Sequence, residues 1–221
     1  MPIAEDFLLL VTDPANGKCR LRSMVIDIAL GGANLVDLVY AQRVELTGEK
    51  KKAKVVLIDK TPLGNPVLDR AIWMLQSKGP LRPQAAGRQL GKKSQKPLYE
   101  ALSARGTVQR RTEKRLGLFT VTRWPVIDSV RRDNLIRLIQ ASLLHGLDAD
   151  DETGPLIGLL AASDSLRVVV DKPELKAAKA RAKVIAEGDW ASEEVRKAIQ
   201  AANTVMIAAV VAATSASAAS S

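Results

Sequence analysis

Residues 23–42 constrain the fold of this 221-residue chain more than any other segment. Drawn as a helix, the segment is apolar on most of its circumference, and a helix of that kind has to be surrounded by protein. Ser23 is the expected N-cap. The pair Gly31-Gly32 costs about 1 kcal/mol per glycine relative to alanine, so it indicates close helix packing or a break. The segment therefore predicts a buried central helix.

The core around this helix has to be built almost without aromatic rings. Only 3% of the residues are aromatic while 47% are hydrophobic, which leaves Leu, Val, Ile and Ala and favours helices over a β-sandwich. Further helices are predicted at 67–76, 83–90, 94–104, 128–144, 173–187 and 192–213, with 3–12 a short amphipathic helix or strand. Trp73, beside the apolar stripe of the first of these, is expected in the core.

Two hairpins complete the predicted fold. The β-rich segments 43–46 and 54–58 are joined by a turn, and 107–111 and 116–122 form a second pair. The fold class is accordingly mainly α, with one globular helical domain over residues 1–221 around a buried central helix, plus β-hairpins. The Ser/Ala-rich tail, 214–221, is expected to be frayed.

The residues that carry enzyme chemistry are few. One cysteine and one histidine leave no Cys/His cluster for zinc, and no glycine-rich phosphate loop or spaced acid/base pair is present. Cys19 lies between Lys18 and Arg20, which can lower its pKa, but it has no base to pair with. The sequence therefore predicts neither enzyme activity nor a metal or cofactor.

Localisation is predicted from the same scarcity of cysteine. A single cysteine excludes an internal disulfide and favours the cytoplasm. The chain opens with acidic residues where a signal peptide has basic ones, and no apolar run is expected to provide the roughly 20 residues of a membrane span. Any membrane contact is therefore expected to be peripheral.

Positive charge is concentrated between residues 78 and 123. Twelve basic and two acidic residues give this stretch an excess of ten positive charges, against +9 for the whole chain. The basic residues are Lys78, Arg82, Arg88, Lys92, Lys93, Lys96, Arg105, Arg110, Arg111, Lys114, Arg115 and Arg123. Charge this localised predicts that one surface contacts a polyanion.

The second hairpin combines cations with large apolar groups. Its cations are Arg110, Arg111, Lys114 and Arg115, its apolar residues are Leu116, Leu118 and Phe119, and Trp124 follows. Near an anionic leaflet a basic residue contributes on the order of 1 kcal/mol, and a fully buried Leu or Phe roughly 1.5–3 kcal/mol. The hairpin therefore favours a membrane-touching role. Alternatively, these apolar residues face the core or a homo-oligomer contact.

Two other polyanionic partners fit the basic stretch. Helix, turn, helix and hairpin is also the outline of a winged-helix DNA-binding regulator, with 94–104 as recognition helix and 110–115 as wing. A scaffold that binds an acidic protein partner through the same face is the third interpretation. Nucleic acid and acidic protein remain alternatives to lipid.

Five segments, in order along the chain, resemble the Golgi phosphoprotein 3 family. They are EDFLLL at 5–10, LGGANLVDL at 30–38, LSARGTV at 102–108, LLAASD at 159–164 and AANTVMIAAVVAA at 201–213. The family counterparts of the second and third are L-R-G-x-x-L-x-E-L and L-x-x-K-G-V-L. Because the family's eukaryotic N-terminal arm is missing, the chain looks like a prokaryotic relative.

The resemblance implies a helical domain that binds phosphatidylinositol 4-phosphate in a basic pocket while a hairpin enters the bilayer. The family's tryptophan before the first long helix falls at Arg22, and its arginine in L-R-G falls at Gly31. Its two basic positions before the hairpin fall at Lys92 and Gln95. The residues expected to contact a lipid phosphate are thus Arg22, Lys92, Lys93, Gln95 and Lys96. The expected location is the inner face of the membrane.

Overall fold

The computed structural model describes residues 1–48, 52–115, 119–188, 196, 197 and 200. Its α-helices are α1 (Ile3–Leu10), α2 (Ser23–Tyr40), α3 (Pro66–Lys78), α4 (Pro83–Gly91), α5 (Gln95–Ala104), α6 (Val130–Leu144), α7 (Thr153–Ala162) and α8 (Leu175–Ile185). Its strands form two antiparallel hairpins, β1 (Val44–Thr47) with β2 (Lys54–Leu57) and β3 (Arg111–Arg115) with β4 (Phe119–Arg123). The predicted fold class, mainly α with β-hairpins, is confirmed.

Helix α2 is the central helix, because it contributes to both hydrophobic clusters of the described residues. Ile26 and Leu30 pack in a cluster with residues of α1, α5, α6, α7 and α8. Leu35 and Leu38 pack in a second cluster with residues of α3, α4 and the first hairpin. One domain over residues 1–221 stays a prediction, since the tail and almost all of 192–213 lie outside the described part.

Helix α2 is also long and apolar enough to cross a membrane, which the sequence analysis did not anticipate. Its 18 residues have a mean hydropathy of 1.4, but 67% of them are buried within the fold. That burial is typical of a core helix. The helix starts at Ser23 without a side-chain cap, and Arg22 occupies the N-cap position, so the predicted capping role of Ser23 is wrong.

The packing of α4 against α2 leaves no room for side chains at two glycines. A Cβ atom on Gly31 would lie 1.8 Å from the carbonyl oxygen of Gly87, and one on Gly91 would lie 1.6 Å from that of Asp27. Both obstacles are backbone atoms, which cannot move without shifting a helix. Of the two interpretations of Gly31-Gly32, close packing is therefore the one confirmed.

Segment 3–12 was predicted to be a short amphipathic helix or a strand. It contains the helix α1, but this helix is not amphipathic. All eight of its residues are buried, including Glu5 and Asp6. Arg131 binds the Asp6 carboxylate with two hydrogen bonds and also contacts Glu152, and Arg105 Nε lies 3.2 Å from Glu5 Oε2. Burial raises the pKa of both buried carboxyl groups. Each is thus buried beside one arginine, which limits the cost of desolvation.

Asp37 of α2 caps the N-terminus of α1. Its Oδ1 accepts the N–H of Ile3 at 2.7 Å and its Oδ2 accepts the N–H of Ala4 at 3.0 Å. These amides have no partner within their own helix, so the carboxyl group satisfies donors that would otherwise be buried unpaired. Burial raises the pKa of Asp37 to about 7. The capping group therefore titrates near neutral pH.

The substitution Gly31→Ala tests the packing of α4 against α2. We expect a loss of about 1–3 kcal/mol or more in the free energy of unfolding, because the methyl group would overlap the Gly87 carbonyl. Helix propensity alone predicts the opposite sign, a gain of about 1 kcal/mol. Urea unfolding followed by circular dichroism measures the difference. An unchanged or higher free energy of unfolding would contradict the described contact.

Asp37 predicts a pH dependence of stability. Its pKa is 3.8 when exposed and about 7 in the fold, so between these values the folded state holds a proton that the unfolded state lacks. The free energy of unfolding should then fall as the pH rises through this window and level off above it. Glu5 and Asp6, whose pKa values are also raised, act in the same direction.

In the variant Asp37→Asn this slope should become shallower, since an amide does not titrate. The variant should also be less stable by about 1–3 kcal/mol at low pH, because one oxygen faces two N–H donors. Urea unfolding at a series of pH values measures both effects, with the exposed Asp171→Asn as control. A slope equal to that of the wild type would show that Asp37 is not the titrating group.

Candidate functional site

A cavity of about 420 Å³ lies where four segments meet: the turn between α1 and α2, the starts of α2 and α5, and the base of the second hairpin. We call it the basic pocket. It is lined by Gly17, Lys18, Cys19, Leu21, Ser23, Ile26, Gln95, Lys96, Tyr99, Arg110, Thr122, Arg123 and Trp124. Because these segments are far apart in sequence, only the folded chain brings them together.

The charged residues that line the basic pocket are all cations. They are Lys18 of the α1–α2 turn, Lys96 of α5, and Arg110 and Arg123 at the hairpin base. Lys96 Nζ lies 3.7 Å from Glu100 in an exposed pair, which holds the side chain only weakly. Lys18, Arg110 and Arg123 form no ion pair with a described carboxylate. Four cations with little compensation make a site of positive potential.

Two stacked aromatic rings form the floor of the basic pocket. The Tyr99 and Trp124 rings are nearly parallel, with centroids 5.2 Å apart and an interplanar angle of 6°. The Thr12 hydroxyl donates to the Leu8 carbonyl at 2.6 Å, so the Tyr99 hydroxyl, 2.8 Å from Thr12 Oγ1, acts as the donor between them. Burial raises the pKa of Tyr99, which keeps that proton in place. The floor is thereby attached to α1.

The turn that carries Lys18 is fixed against the hairpin base. The backbone N–H of Trp124 donates to the Gly17 carbonyl at 3.1 Å, and that of Val126 donates to Pro14 at 3.0 Å. Gly17 has φ +64°, and a Cβ atom there would lie 2.2 Å from the backbone nitrogen of Pro125. Only glycine fits this turn. Lys18 therefore has a defined position relative to Arg110 and Arg123.

Two helices begin at the wall of the basic pocket. Ser23 is the first residue of α2, and Gln95 and Lys96 are the first two of α5; neither helix has a side-chain cap. The Ser94 hydroxyl, a natural cap, donates instead to the Leu90 carbonyl at 2.5 Å. The unpaired N–H groups of both helices are thus available to an anion, with the positive ends of both helix dipoles nearby.

The turn between α4 and α5 carries two of the predicted lysines. Lys92 and Lys93 are exposed there, and Lys93 has a positive φ of 61°. The buried Asn34 amide of α2 donates to the Leu90 carbonyl at 3.2 Å, which ties the turn to the central helix. The turn is therefore fixed, with its two lysines directed away from the core.

The structure separates the five residues predicted to contact phosphate into two sets. Gln95 and Lys96 line the basic pocket. Arg22, Lys92 and Lys93 do not line it: Arg22 immediately precedes Ser23, and the two lysines precede Gln95 in the α4–α5 turn. Arg110, predicted as part of a membrane-touching hairpin, lines the pocket instead. Phosphate binding by any of them stays a prediction.

The strands of the second hairpin begin later in the chain than predicted. Its first strand is 111–115 where 107–111 was expected, and Thr107 and Val108 are buried at its base. The segment 110–115, predicted as a wing, is thus mostly strand β3. Arg111 and Lys114 are exposed. Leu116, Leu118 and the side chains of Arg115 and Phe119 lie outside the described part, so the apolar tip stays a prediction.

The described residues include no group of three His, Cys, Asp or Glu side chains that could hold a metal ion. Cys19 lines the basic pocket, but burial raises the pKa of its thiol, so the expected lowering by Lys18 and Arg20 is wrong. A protonated thiol is a poor nucleophile. The pocket is therefore better suited to binding an anion than to covalent chemistry.

Three features of the basic pocket were not predicted as parts of a site: Lys18, Arg123 and the paired rings of the floor. Lys18 follows a turn sequence, DPANG, that predicts a loop but not what the loop contacts. Trp124 was predicted only to follow the hairpin, whereas it is buried and lines the pocket. The sequence contains a weak signal for this site, because Arg123 and Trp124 place a cation next to an aromatic residue at the end of the hairpin.

Comparison with known protein families identifies a model that matches most of the chain. A model of the Golgi phosphoprotein 3 (GPP34) family matches residues 3–202. No curated protein matches the chain. The matched range includes every residue of the basic pocket.

Polyvalent anions should stabilise the protein through the basic pocket. At a pyrophosphate concentration ten times its dissociation constant, linkage predicts about 1.4 kcal/mol of added stability, or several degrees in the melting temperature. The double variant Lys18→Gln with Arg110→Gln should lose most of this shift. Thermal unfolding is measured at constant ionic strength in chloride, with Lys176→Gln on α8 as control. Equal shifts in all three proteins would indicate a general salt effect instead.

Proposed function

This chain belongs to the Golgi phosphoprotein 3 family, and from that membership we propose that it is a peripheral membrane protein whose basic pocket binds the phosphate of an anionic phospholipid. Members of the family bind lipids and proteins. Phosphatidylinositol 4-phosphate is the ligand that the resemblance names. The protein would act at the cytoplasmic face of a membrane, as a binding protein without catalytic activity.

The observation that carries the proposal is the unpaired charge of the basic pocket. Lys18, Arg110 and Arg123 have no described carboxylate partner, and they lie with Lys96 around one cavity. Cations assembled in this way are costly unless an anion joins them, because they repel one another. A phosphate group supplies both the charge and the hydrogen-bond acceptors.

The pocket favours a phosphate monoester over a diester. A monoester carries about −1.5 to −2 charges near neutral pH and three acceptor oxygens. The unpaired N–H groups at the starts of α2 and α5 and the four cations offer more donors than a diester, with one charge, can use. This supports a phosphorylated inositol head group over phosphatidylserine.

Charge alone would give only weak membrane binding. Four cations near an anionic leaflet contribute about 4 kcal/mol in total, which corresponds to a millimolar dissociation constant. A buried leucine or phenylalanine would add roughly 1.5–3 kcal/mol. We therefore keep the apolar hairpin tip, with Leu116, Leu118 and Phe119, as the proposed second contact with the bilayer. Self-association through these residues is the alternative use of the same tip.

The described residues favour lipid over DNA as the polyanion. A recognition helix presents several side chains to base edges. In α5 the residues Leu98, Tyr99 and Leu102 are buried, and Lys96, the basic residue of this helix, lines the basic pocket. The basic residues of the hairpin base, Arg110 and Arg123, line the same pocket.

Liposome flotation tests the proposed function. The wild-type protein should float with vesicles of phosphatidylcholine that contain phosphatidylinositol 4-phosphate. A smaller fraction should float with vesicles that contain phosphatidylserine instead, at the same total charge. The double variant Lys96→Glu with Arg123→Glu should bind at least about tenfold more weakly, since it reverses two of the four pocket cations. The matched control is Lys176→Glu with Lys183→Glu on the exposed face of α8.

Two results would refute the lipid-binding proposal. One is that the wild-type protein does not bind anionic vesicles at physiological salt. The other is that the pocket variant floats to the same extent as the α8 control. Sequence-dependent binding to duplex DNA in a gel shift would favour the winged-helix alternative. A partner captured from lysate without lipid, and lost in the pocket variant, would favour the acidic protein alternative.

A further inference from the structure

Trp73 is the most exposed large hydrophobic side chain among the described residues, at 68% exposure. The core face of α3 consists of Val67, Leu68, Ala71, Ile72 and Leu75. At 100° per residue, Trp73 lies on the opposite side of the helix. The prediction that it belongs to the core is therefore wrong. Aromatic side chains gain a large free energy from burial, so an indole ring exposed to water is unusual.

One cation lies a helical turn from this exposed ring and contacts the turn that carries two more. Arg70 lies one helical turn before Trp73 on the outer face of α3, and its Nη2 donates to the Lys92 carbonyl at 2.9 Å. That bond joins α3 to the α4–α5 turn, where Lys92 and Lys93 are exposed. None of these three cations forms an ion pair with a described carboxylate. The acid of α3, Asp69, accepts the Leu63 N–H at 2.6 Å through its Oδ1 and forms no ion pair with a described cation.

The same turn leads directly into the basic pocket. Gln95 and Lys96, which follow Lys93 by two and three residues, line the pocket wall. The Arg70–Lys92 hydrogen bond and the short α4–α5 turn thus connect the outer face of α3 to the phosphate site proposed above. This connection is the basis for assigning these residues to one anionic surface.

We propose that Trp73, together with the cations Arg70, Lys92 and Lys93, is a second membrane anchor, which lies in the head-group region when the basic pocket is occupied. The proposal rests on the proposed lipid-binding function. Tryptophan is the side chain that favours the membrane interface, because its ring is apolar while its N–H can bond to head groups or water. The adjacent cations complement anionic lipid. This anchor assigns a role to Lys92 and Lys93, which do not line the pocket.

The first measurement is the affinity of Trp73→Ala for vesicles containing phosphatidylinositol 4-phosphate. We expect binding about tenfold weaker than wild type, or about 1.4 kcal/mol. The melting temperature should be unchanged, since the ring makes little contact with the core. Val184→Ala, an exposed apolar position on α8, is the matched control and should bind as the wild type does.

The second measurement locates the ring directly. Brominated phosphatidylcholine should quench the part of the tryptophan emission that is present in the wild type and missing in Trp73→Phe. Pyrophosphate should stabilise Trp73→Ala as much as the wild type, because the anchor is separate from the pocket. Loss of that stabilisation would mean that the substitution disturbs the pocket, and the anchor would be refuted.

The outcomes separate the two proposals. If neither the wild-type protein nor Trp73→Ala binds anionic vesicles, both the lipid-binding function and the anchor are refuted. If the wild type binds, the pocket variant does not, and Trp73→Ala binds as the wild type does, only the anchor is refuted. Binding of single-stranded nucleic acid that depends on Trp73, with unchanged vesicle binding, would identify a base-stacking surface and also refute the anchor.

Discussion

The contact between the backbones of α2 and α4 determines where the cations of this chain can lie. With Gly31 against the Gly87 carbonyl and Gly91 against that of Asp27, the end of α4 comes next to the start of α2. The α4–α5 turn then places the first residues of α5 beside those of α2. Two positive helix ends consequently meet at one cavity, and the lysines and arginines around it add to a field that the backbone already provides.

The capping carboxyl group of Asp37 and the basic pocket are connected through the core. Asp37 caps α1, and the last turn of α1 leads to Thr12, whose hydroxyl accepts the bond from Tyr99 on the pocket floor. Trp124 stacks on Tyr99 and bonds through its backbone to the α1–α2 turn. The pocket is therefore attached to rigid elements on three sides. A rigid site loses less conformational entropy when it binds a ligand.

Local sequence patterns predicted most helices and strands of the fold. Long-range contacts determine which side chains are exposed or line the pocket, and these contacts could not be predicted from local patterns. The apolar run at 23–42 predicts α2, and Gly31-Gly32 indicates its packing, because both signals lie within one segment. The exposure of Trp73 depends on which face of α3 finds partners elsewhere. Lys18 enters the pocket because Gly17 bonds to Trp124, more than a hundred positions away. The first strand of the second hairpin begins four residues later than predicted, because Thr107 and Val108 are buried in the fold.

The resemblance places the family's L-R-G arginine at Gly31, and the same packing excludes a large side chain there. A side chain of any size at this position would overlap the backbone of α4, so α2 cannot contribute a cation there while α4 lies so close. The cavity at the start of α2 instead takes Lys18 from the preceding turn and Arg123 from the end of β4. Part of the positive charge of the basic pocket is thus supplied by segments other than α2. The attraction of an anion depends on the summed field at the cavity and not on which element carries each cation.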